Sequence, residues 1–304
     1  MKILITGASG FVGQALIEEL EKKGHDLVLV SRTPSKLSAR YGSRYSYVAW
    51  DALSAPPGAE CFDGVEGIIN LMGEGVAEKR WSEAQKQKIY DTRVRGTEYL
   101  VAGALAHAKS LKVFVSASAV GIYDHTMDTE LTVDSPKSNR FLAKVCQDWE
   151  AAAKTISQNT SVRLTCIRIG VVLGDGGALA KMKRPFSLGL GGTLGTGAQW
   201  MNWIHVKDLA RLLARAVDDE SFSGIYNGVA PGNIRNLEFT KTLGRVLKRP
   251  TVLAVPAFAI KLLFGDFADE LLEGGCVRSL RLCDFEFEYP ELDAALSNSL
   301  DIEN

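Results

Sequence analysis

The stretch MKILITGASGFVG, residues 1–13, decides how the rest of the chain is read. Its apolar run KILIT (2–6) reads as a strand, and the pattern that follows predicts a helix over 11–23. Between them stand Gly7, Gly10 and Gly13, with Ser9, Phe11 and Val12 filling the loop and the first helical turn. Small residues there let backbone N–H groups approach a pyrophosphate at the helix N-terminus, where the helix dipole favours negative charge. Three spaced glycines alone are a weak signal. A strand before them, a helix after them and a second strand, DLVLVS (26–31), make it a strong one. The expectation is dinucleotide binding; the bland alternative is a plain strand-turn-helix.

The end of that second strand chooses between cofactors. An NAD site wants an acid there to hold the ribose hydroxyls, whereas this chain has Ser31-Arg32-Thr33. A guanidinium offers a planar fork to a 2′-phosphate, and Ser31 adds a hydroxyl donor, so NADP(H) is the expected cofactor. Otherwise Arg32 is one more solvated residue after a strand.

Further along, short apolar runs alternate with helical patterns, the signature of parallel strand-helix-strand units. Strands are predicted at 45–50, 67–72, 112–118, 163–169 and 224–229, and helices near 82–107, 140–155 and 206–217. Most strands are apolar on both faces, as in a sheet covered by helices on each side. After Ile169 the text turns glycine-rich, with helices predicted near 236–248 and 255–273 and a small strand at 285–289. The expected class is α/β: a Rossmann-type doubly wound parallel sheet with a smaller, discontinuous C-terminal substrate domain. The cofactor domain is expected to take 1–172 and 202–230, and the smaller one 173–201 and 231–304.

Composition narrows the function classes. The chain of 304 residues is 46% hydrophobic and 23% charged, which suits an ordinary water-soluble globular protein with a sizeable core. Thirty-five basic against 36 acidic side chains leave no field that favours nucleic acid or anionic lipid, although Lys79, Arg80, Lys86, Lys88, Arg93 and Arg95 gather locally. No run reaches the roughly 18 apolar residues of a spanning helix. VLAVPAFAIKLLF, interrupted by Pro256 and Lys261, reads as a buried helix. The N-terminus has no signal-like pattern, and five scattered cysteines without CxxC pairs suggest neither disulfides nor zinc. The expected compartment is the cytoplasm, with no metal and no membrane partner.

The text TGASGFVG, VSR, INLMGEGVAEKRW (69–81), SASAVGIY (116–123) and FLAKVCQDWEAAA (141–153) resembles the extended short-chain dehydrogenase/reductase superfamily. More narrowly it resembles an atypical, epimerase-like branch of it, a likeness continued by RIGVVLGDGGALAKM (168–182), GLGGTLGTGAQWMNWIHVKDLA (189–210) and NGVAPGNIRNLEF (227–239). The resemblance spans nearly the whole chain, loops included. It implies an NADP(H) site and a nucleotide-sugar epimerase label without a settled substrate. It also implies that the Asp51 region lies near the adenine and that Leu71, Met72 and Gly73 pass under the adenosine side. Arg93 is then expected to reach the phosphates, and Ile169, Gly170 and Val171 to line the nicotinamide. Asp51 as a turn residue and Arg93 as a solvated charge are the bland readings. The chain departs from the family by having Ile122-Tyr123 where two tyrosines are usual, and a shorter GGCVRSLRLCDFEF segment (274–287). Pairing into a homodimer is an expectation by analogy with extended members only.

In working members a tyrosine, its pKa lowered by a lysine four residues on, moves the proton while the nicotinamide moves the hydride, and a strand-end serine binds the reacting oxygen. Ser118 fits that serine, with Ser116 before it. Alignment through Glu150, however, puts Leu142 and Cys146 where the tyrosine and lysine belong, and Lys144 points elsewhere on the helix. Three readings stay open. Tyr123 supplies the hydroxyl from the loop after strand five, or is simply packed. Cys146 is an acid or nucleophile, or is buried filling. Or proton transfer is lost and the protein is a non-catalytic NADPH sensor. His205 is expected to brace its loop against the next helix, with a catalytic role as the alternative. Glu74, Arg80 and Trp81 are expected near the strand ends as a site for an anionic or planar substrate, with Trp200, Asn202 and Trp203 as the opposite wall or as domain-interface seals.

Overall fold

The structure, a computed structural model, describes residues 1–124, 129–158 and 160–302. Seven strands form the central sheet: β1 (Lys2–Thr6), β2 (Asp26–Ser31), β3 (Ser46–Ala49), β4 (Gly67–Asn70), β5 (Val113–Ala119), β6 (Arg163–Ile169) and β7 (Gly224–Gly228). Their order is β7-β6-β5-β4-β1-β2-β3, and every neighbouring pair is parallel. The class is therefore the doubly wound Rossmann-like α/β fold. Parallel neighbours need crossovers, and these are the helices α1 (Phe11–Lys22), α2 (Pro34–Tyr41), α3 (Glu83–His107), α4 (Phe141–Gln158) and, after the excursion that carries α5 (Gly177–Ser187), α6 (Val206–Asp218).

Alternation along the strands divides the core in two. Ile3, Ile5, Leu27 and Leu29 face α1 and α6, burying Leu16, Ile17, Leu209 and Leu213. Leu4, Val28, Val30, Ile68 and Phe114 face the opposite layer with Leu100 and Ile156. Helix α2 went unread in the sequence, although Thr33-Pro34 is a start signal, with proline at the first helical position.

The order reverses between β1 and β4, where ligands of such sheets bind. Thr6 Oγ1 donates to Asn70 Oδ1 at 2.8 Å, Asn70 Nδ2 donates to Thr97 Oγ1 at 2.8 Å, and the Leu71 N–H donates back to Thr6 Oγ1 at 3.2 Å. This buried chain of bonds ties the two strand ends that flank the switch point to α3.

The C-terminal part corrects three expectations. Past α7 (Asn236–Val246), the long helix at 255–273 is two, α8 (Ala257–Phe264) and α9 (Phe267–Leu272), because Gly265 takes φ +60 between them. VLAVPAFAIKLLF is not buried throughout: Ile260 is covered, but Phe258, Leu262 and Leu263 are 74, 71 and 65% exposed. The segment at 285–289 is not a strand. Instead the buried Asp208 carboxylate of α6 accepts from the Glu288 N–H at 2.7 Å and the Tyr289 N–H at 2.9 Å, clamping this segment before α10 (Leu292–Ser299). Among the short strand contacts unforeseen in the sequence, Cys276–Val277 pairs in parallel with Glu130–Leu131.

Candidate active site

The nucleotide end of the cleft is built from glycine geometry. Gly7 has φ +70, and a Cβ on it would stand 2.7 Å from the Leu71 carbonyl oxygen. A Cβ on Gly13 would stand 2.4 Å from the Gly7 carbonyl oxygen. Gly10 caps α1 without any side-chain bond to the first-turn N–H groups of Phe11, Val12 and Gly13. Phe11 itself turns away, its ring wedged against Gly174 and Gly176, where a Cβ would come within 2.5 and 2.6 Å. The glycines of the GDGG turn (174–177) are thus needed to admit that ring.

A cleft of about 220 Å³ opens beside this loop, lined by Gly7, Ser9, Gly10, Ser31, Arg32, Asp51, Leu71, Met72, Gly73 and Glu74. Trp50, Leu53 and Thr92 share its walls and were missed in the sequence, having no motif spacing to mark them. Arg32 is exposed at the rim and pairs with no carboxylate among the described residues. Ser31 Oγ accepts from the Thr33 N–H at 3.1 Å, which turns the chain at the rim. Arg93 reaches up under the 71–74 loop: it donates to the Glu74 carbonyl at 2.8 Å and lies 5.4 Å from the centre of the Trp149 ring. Burial pushes its pKa down, and no carboxylate bonds to it among the described residues. The indole N–H of the buried Trp149 has no partner among the described residues either.

At the ends of β5 and β6 the structure departs from the sequence reading. Ser118 is buried and donates to Glu150 Oε1 at 2.7 Å. Arg168, with no exposed surface, forks onto both Glu150 oxygens at 2.8 and 2.9 Å. It also donates to the Tyr123 hydroxyl at 2.8 Å, and that hydroxyl donates to Asn227 Oδ1 at 2.6 Å. Burial alone would lower the pKa of Arg168, but the Glu150 carboxylate outweighs it and raises it. Burial also raises the pKa of Tyr123, against the pull of Arg168. Tyr123 is therefore packed and doubly bonded, not facing the cleft. Ser116 points inward too, bonding the Ala117 carbonyl. The arginine inside RLTCIRI was the available signal, since a charge in an apolar strand demands a partner.

Several other residues singled out in the sequence are placed as braces or filling. Asn202 donates to the Gly275 carbonyl and accepts from the Val277 N–H, and Trp203 is buried in the strand Trp203–His205 paired with Val171–Leu173. Gly170 is required beside them, because a Cβ would meet the Asn202 carbonyl oxygen at 2.6 Å. Ile169 packs against the Trp149 cluster. His205 caps α6, accepting from the Lys207 N–H, and burial pushes its pKa down to about 4. Cys146 is buried filling, its thiol pushed up to about 12 by burial, and Lys144 pairs outward with Asp148. Glu74 is paired with Lys88 at 3.1 Å; burial would raise its pKa, but this lysine holds it low. Lys86 and Arg95 likewise have acidic partners, so three of the six basic side chains of the local cluster are held in ion pairs. Arg80 is exposed beside Gly265, and the Trp81 ring lies 5.3 Å from Phe141 and 5.2 Å from Phe267.

That aromatic hub seats α9, and α9 brings in Glu270, which the sequence reading overlooked. A Cβ built on Gly121 would stand 3.9 Å from both Glu270 Oε2 and Leu142 Cβ. Burial, opposed by Arg140 and helped by Glu273 and Asp269, pushes the Glu270 pKa up to about 7 from its ordinary 4.5. The protonated form is thus the one the fold favours. Its contribution is complete below pH 4.5 and is lost as pH rises through about 7. Glu270→Gln is expected to gain stability over the parent by about 2 kcal/mol between pH 5 and pH 8, read by urea unfolding. A gap that stays constant with pH would contradict the burial of this carboxyl.

Comparison with known proteins agrees with this architecture. Residues 3–227 match the NAD dependent epimerase/dehydratase family, and residues 255–299 match DUF1731, a domain of unknown function. The chain is 38% identical over 302 residues to an Arabidopsis thaliana protein named epimerase family protein SDR39U1 homolog, chloroplastic, covering 97% of this chain and 86% of that one. The crystal structure of human epimerase family protein SDR39U1 with NADPH superposes with a TM-score of 0.88 at 34% identity, over 99% of each chain. A nucleoside-diphosphate sugar epimerase from Corynebacterium glutamicum gives a TM-score of 0.77 at 31% identity, over 99% of this chain and 58% of that one.

Proposed function

The chain belongs to the NAD dependent epimerase/dehydratase family, and from there we propose that it binds NADP(H) and acts as an epimerase or reductase on a small polar substrate. The observation that carries the reading is the cleft at the sheet's switch point, with glycine-only backbone at its phosphate end and unpaired Arg32 at its rim. The residues suit the cofactor. First-turn N–H groups of α1 have no side-chain cap, and among the described residues Arg93 has only carbonyls for hydrogen-bond partners and the nearby Trp149 indole N–H has none. The human relative's crystal structure with NADPH supports the same choice. Bound there, NADP(H) supplies the hydride exchange on which oxidoreductase or isomerase chemistry of this type depends.

The protein's own groups then divide the work. Gly7, Gly10 and Gly13 let the backbone approach the pyrophosphate, and Arg32 with Ser31 meets the 2′-phosphate. Asp51 and Met72 line the adenosine side, and Ile169 and Val171 the nicotinamide side. A nucleotide-sugar is the leading substrate class, with Arg80, exposed beside Gly265, as its cation; the Corynebacterium relative carries such a name. A reducing compartment, in the simplest case the cytoplasm, suits five unpaired cysteines.

One observation favours a second reading, a non-catalytic NADPH sensor: Ser118 is held by Glu150, Leu142 has no ionisable group and the Cys146 thiol is buried. Fluorescence titration with NADPH and NADH tests the cofactor reading. NADPH is expected to bind at least about tenfold tighter, a difference of ~1.4 kcal/mol, and Arg32→Ala to abolish the preference. Equal affinity in the parent protein would remove the 2′-phosphate reading, and failure to bind either nucleotide would remove both functions.

A further inference from the structure

We propose that Glu270 is the catalytic proton acceptor and donor of this protein, carried to the turn that leaves β5 by the C-terminal segment in place of the absent tyrosine. The inference rests on the NADP(H)-dependent reading above and assigns a task to the segment matched only as a domain of unknown function. Glu270 Oε2 lies beside Gly121, in the turn that leaves β5 three residues after Ser118, and Leu142, the residue aligned with the missing tyrosine, is the other close neighbour of a Cβ built there. The carboxyl therefore stands where the sheet's C-terminal edge meets the start of α4.

The alternatives in reach are each engaged or sealed. The Tyr123 hydroxyl is held between Arg168 and Asn227, Ser118 donates to Glu150, and Cys146 is 3% exposed in the core. Glu270 by contrast keeps partial exposure and makes no hydrogen bond or ion pair among the described residues. The charged and titratable groups around it are Arg140 at the start of α4, Cys146 within α4, and Asp269 and Glu273 on its own segment. Arg140 is already paired with Glu273 and Asp269 with Lys261, so no neighbour neutralises Glu270 directly.

Its helix is held in place on several sides. Trp81 packs Phe267 against Phe141, Lys86 binds Asp266 at 2.5 Å, and Gln199 Nε2 donates to the Leu271 carbonyl at 3.0 Å. A short helix pinned this way positions a carboxyl with little freedom to swing out, which general acid–base work requires. Burying an uncompensated carboxyl costs stability, a cost that marks functional groups more often than structural ones.

The chemistry balances on a secondary alcohol. Its O–H proton passes to a Glu270 oxygen, and hydride leaves the same carbon for an oxidised nicotinamide. The alcohol loses two electrons to become a carbonyl, and the ring gains them. In the reverse direction Glu270 returns the proton to the oxygen.

Carboxyl carbon NMR of the full chain, labelled in glutamate, tests this without knowing the substrate. One glutamate is expected to titrate near neutrality and to vanish in Glu270→Gln. Should that variant fail to fold, Glu270→Asp is expected to move the signal into the aspartate region. Saturating NADP+ is expected to lower this pKa by about one unit or more relative to NADPH, because only the oxidised ring carries a positive charge close by. A neutral-range carboxyl that titrates identically with NADP+ and NADPH, or no such carboxyl at all, overturns the assignment while leaving cofactor binding intact. Absence of any nucleotide effect on the protein's spectrum overturns the cofactor reading itself, and Glu270's role with it.

Discussion

Arg168→Met is expected to lower the melting temperature by roughly 10 °C, from a loss of about 3–5 kcal/mol. The side chain has no exposed surface, and methionine fills similar volume, so packing is not the main loss. What disappears is the only cation on Glu150 among the described residues, a carboxylate with 10% side-chain exposure that then keeps Ser118 as its remaining donor. The Tyr123 hydroxyl and the Val133 carbonyl lose a donor at the same time. Removing both charges should be gentler than removing one: Arg168→Met with Glu150→Leu is expected to recover more than half of the loss. Calorimetry on the two variants decides it. A single-variant loss below about 1 kcal/mol would mean that the network is hydrated and weak, contrary to its burial.

The second large effect concerns the cofactor cradle. Gly13→Ala is expected to weaken NADPH binding roughly a hundredfold, about 2.7 kcal/mol, in a fluorescence titration. The new methyl would sit 2.4 Å from the Gly7 carbonyl oxygen and 2.9 Å from the Ala8 Cα, so α1 must retreat from β1. That retreat removes the first-turn N–H groups from the anion they would hold. Gly24→Ala is the control: it also changes a glycine, at φ +74, but nothing lies within 4 Å of the added carbon. Its backbone strain should cost about 1 kcal/mol of stability and leave nucleotide affinity unchanged. Equal loss of affinity in both would mean that global stability, not the cradle, governs binding.

Much of this protein was written locally. The strand-glycine-helix opening, the apolar runs of the parallel strands and the long crossover helices depend on spacing within a few residues, and they were legible as such. Arg32 at a strand end was readable for the same reason, since the end of β2 lies beside the phosphate loop in any sheet of this order. The missing tyrosine and lysine were equally plain, because their absence is a fact about one helix.

What replaced them was not legible. Ser118, Glu150, Arg168, Tyr123 and Asn227 come from five different segments, and nothing in their separations marks them as one hydrogen-bonded group. Whether Tyr123 was packed or open, and whether Asn202 and Trp203 formed a wall or a seal, stayed undecided in the sequence because a polar or aromatic side chain does not announce which way its backbone turns it. Glu270 sits some 150 residues after Ser118, on a helix whose break at Gly265 was itself unread. Periodicity is a property of neighbours along the chain and so determines elements and their order. The site is made where elements meet, and only the packing of α9 over the edge of the sheet decided which carboxyl stands there.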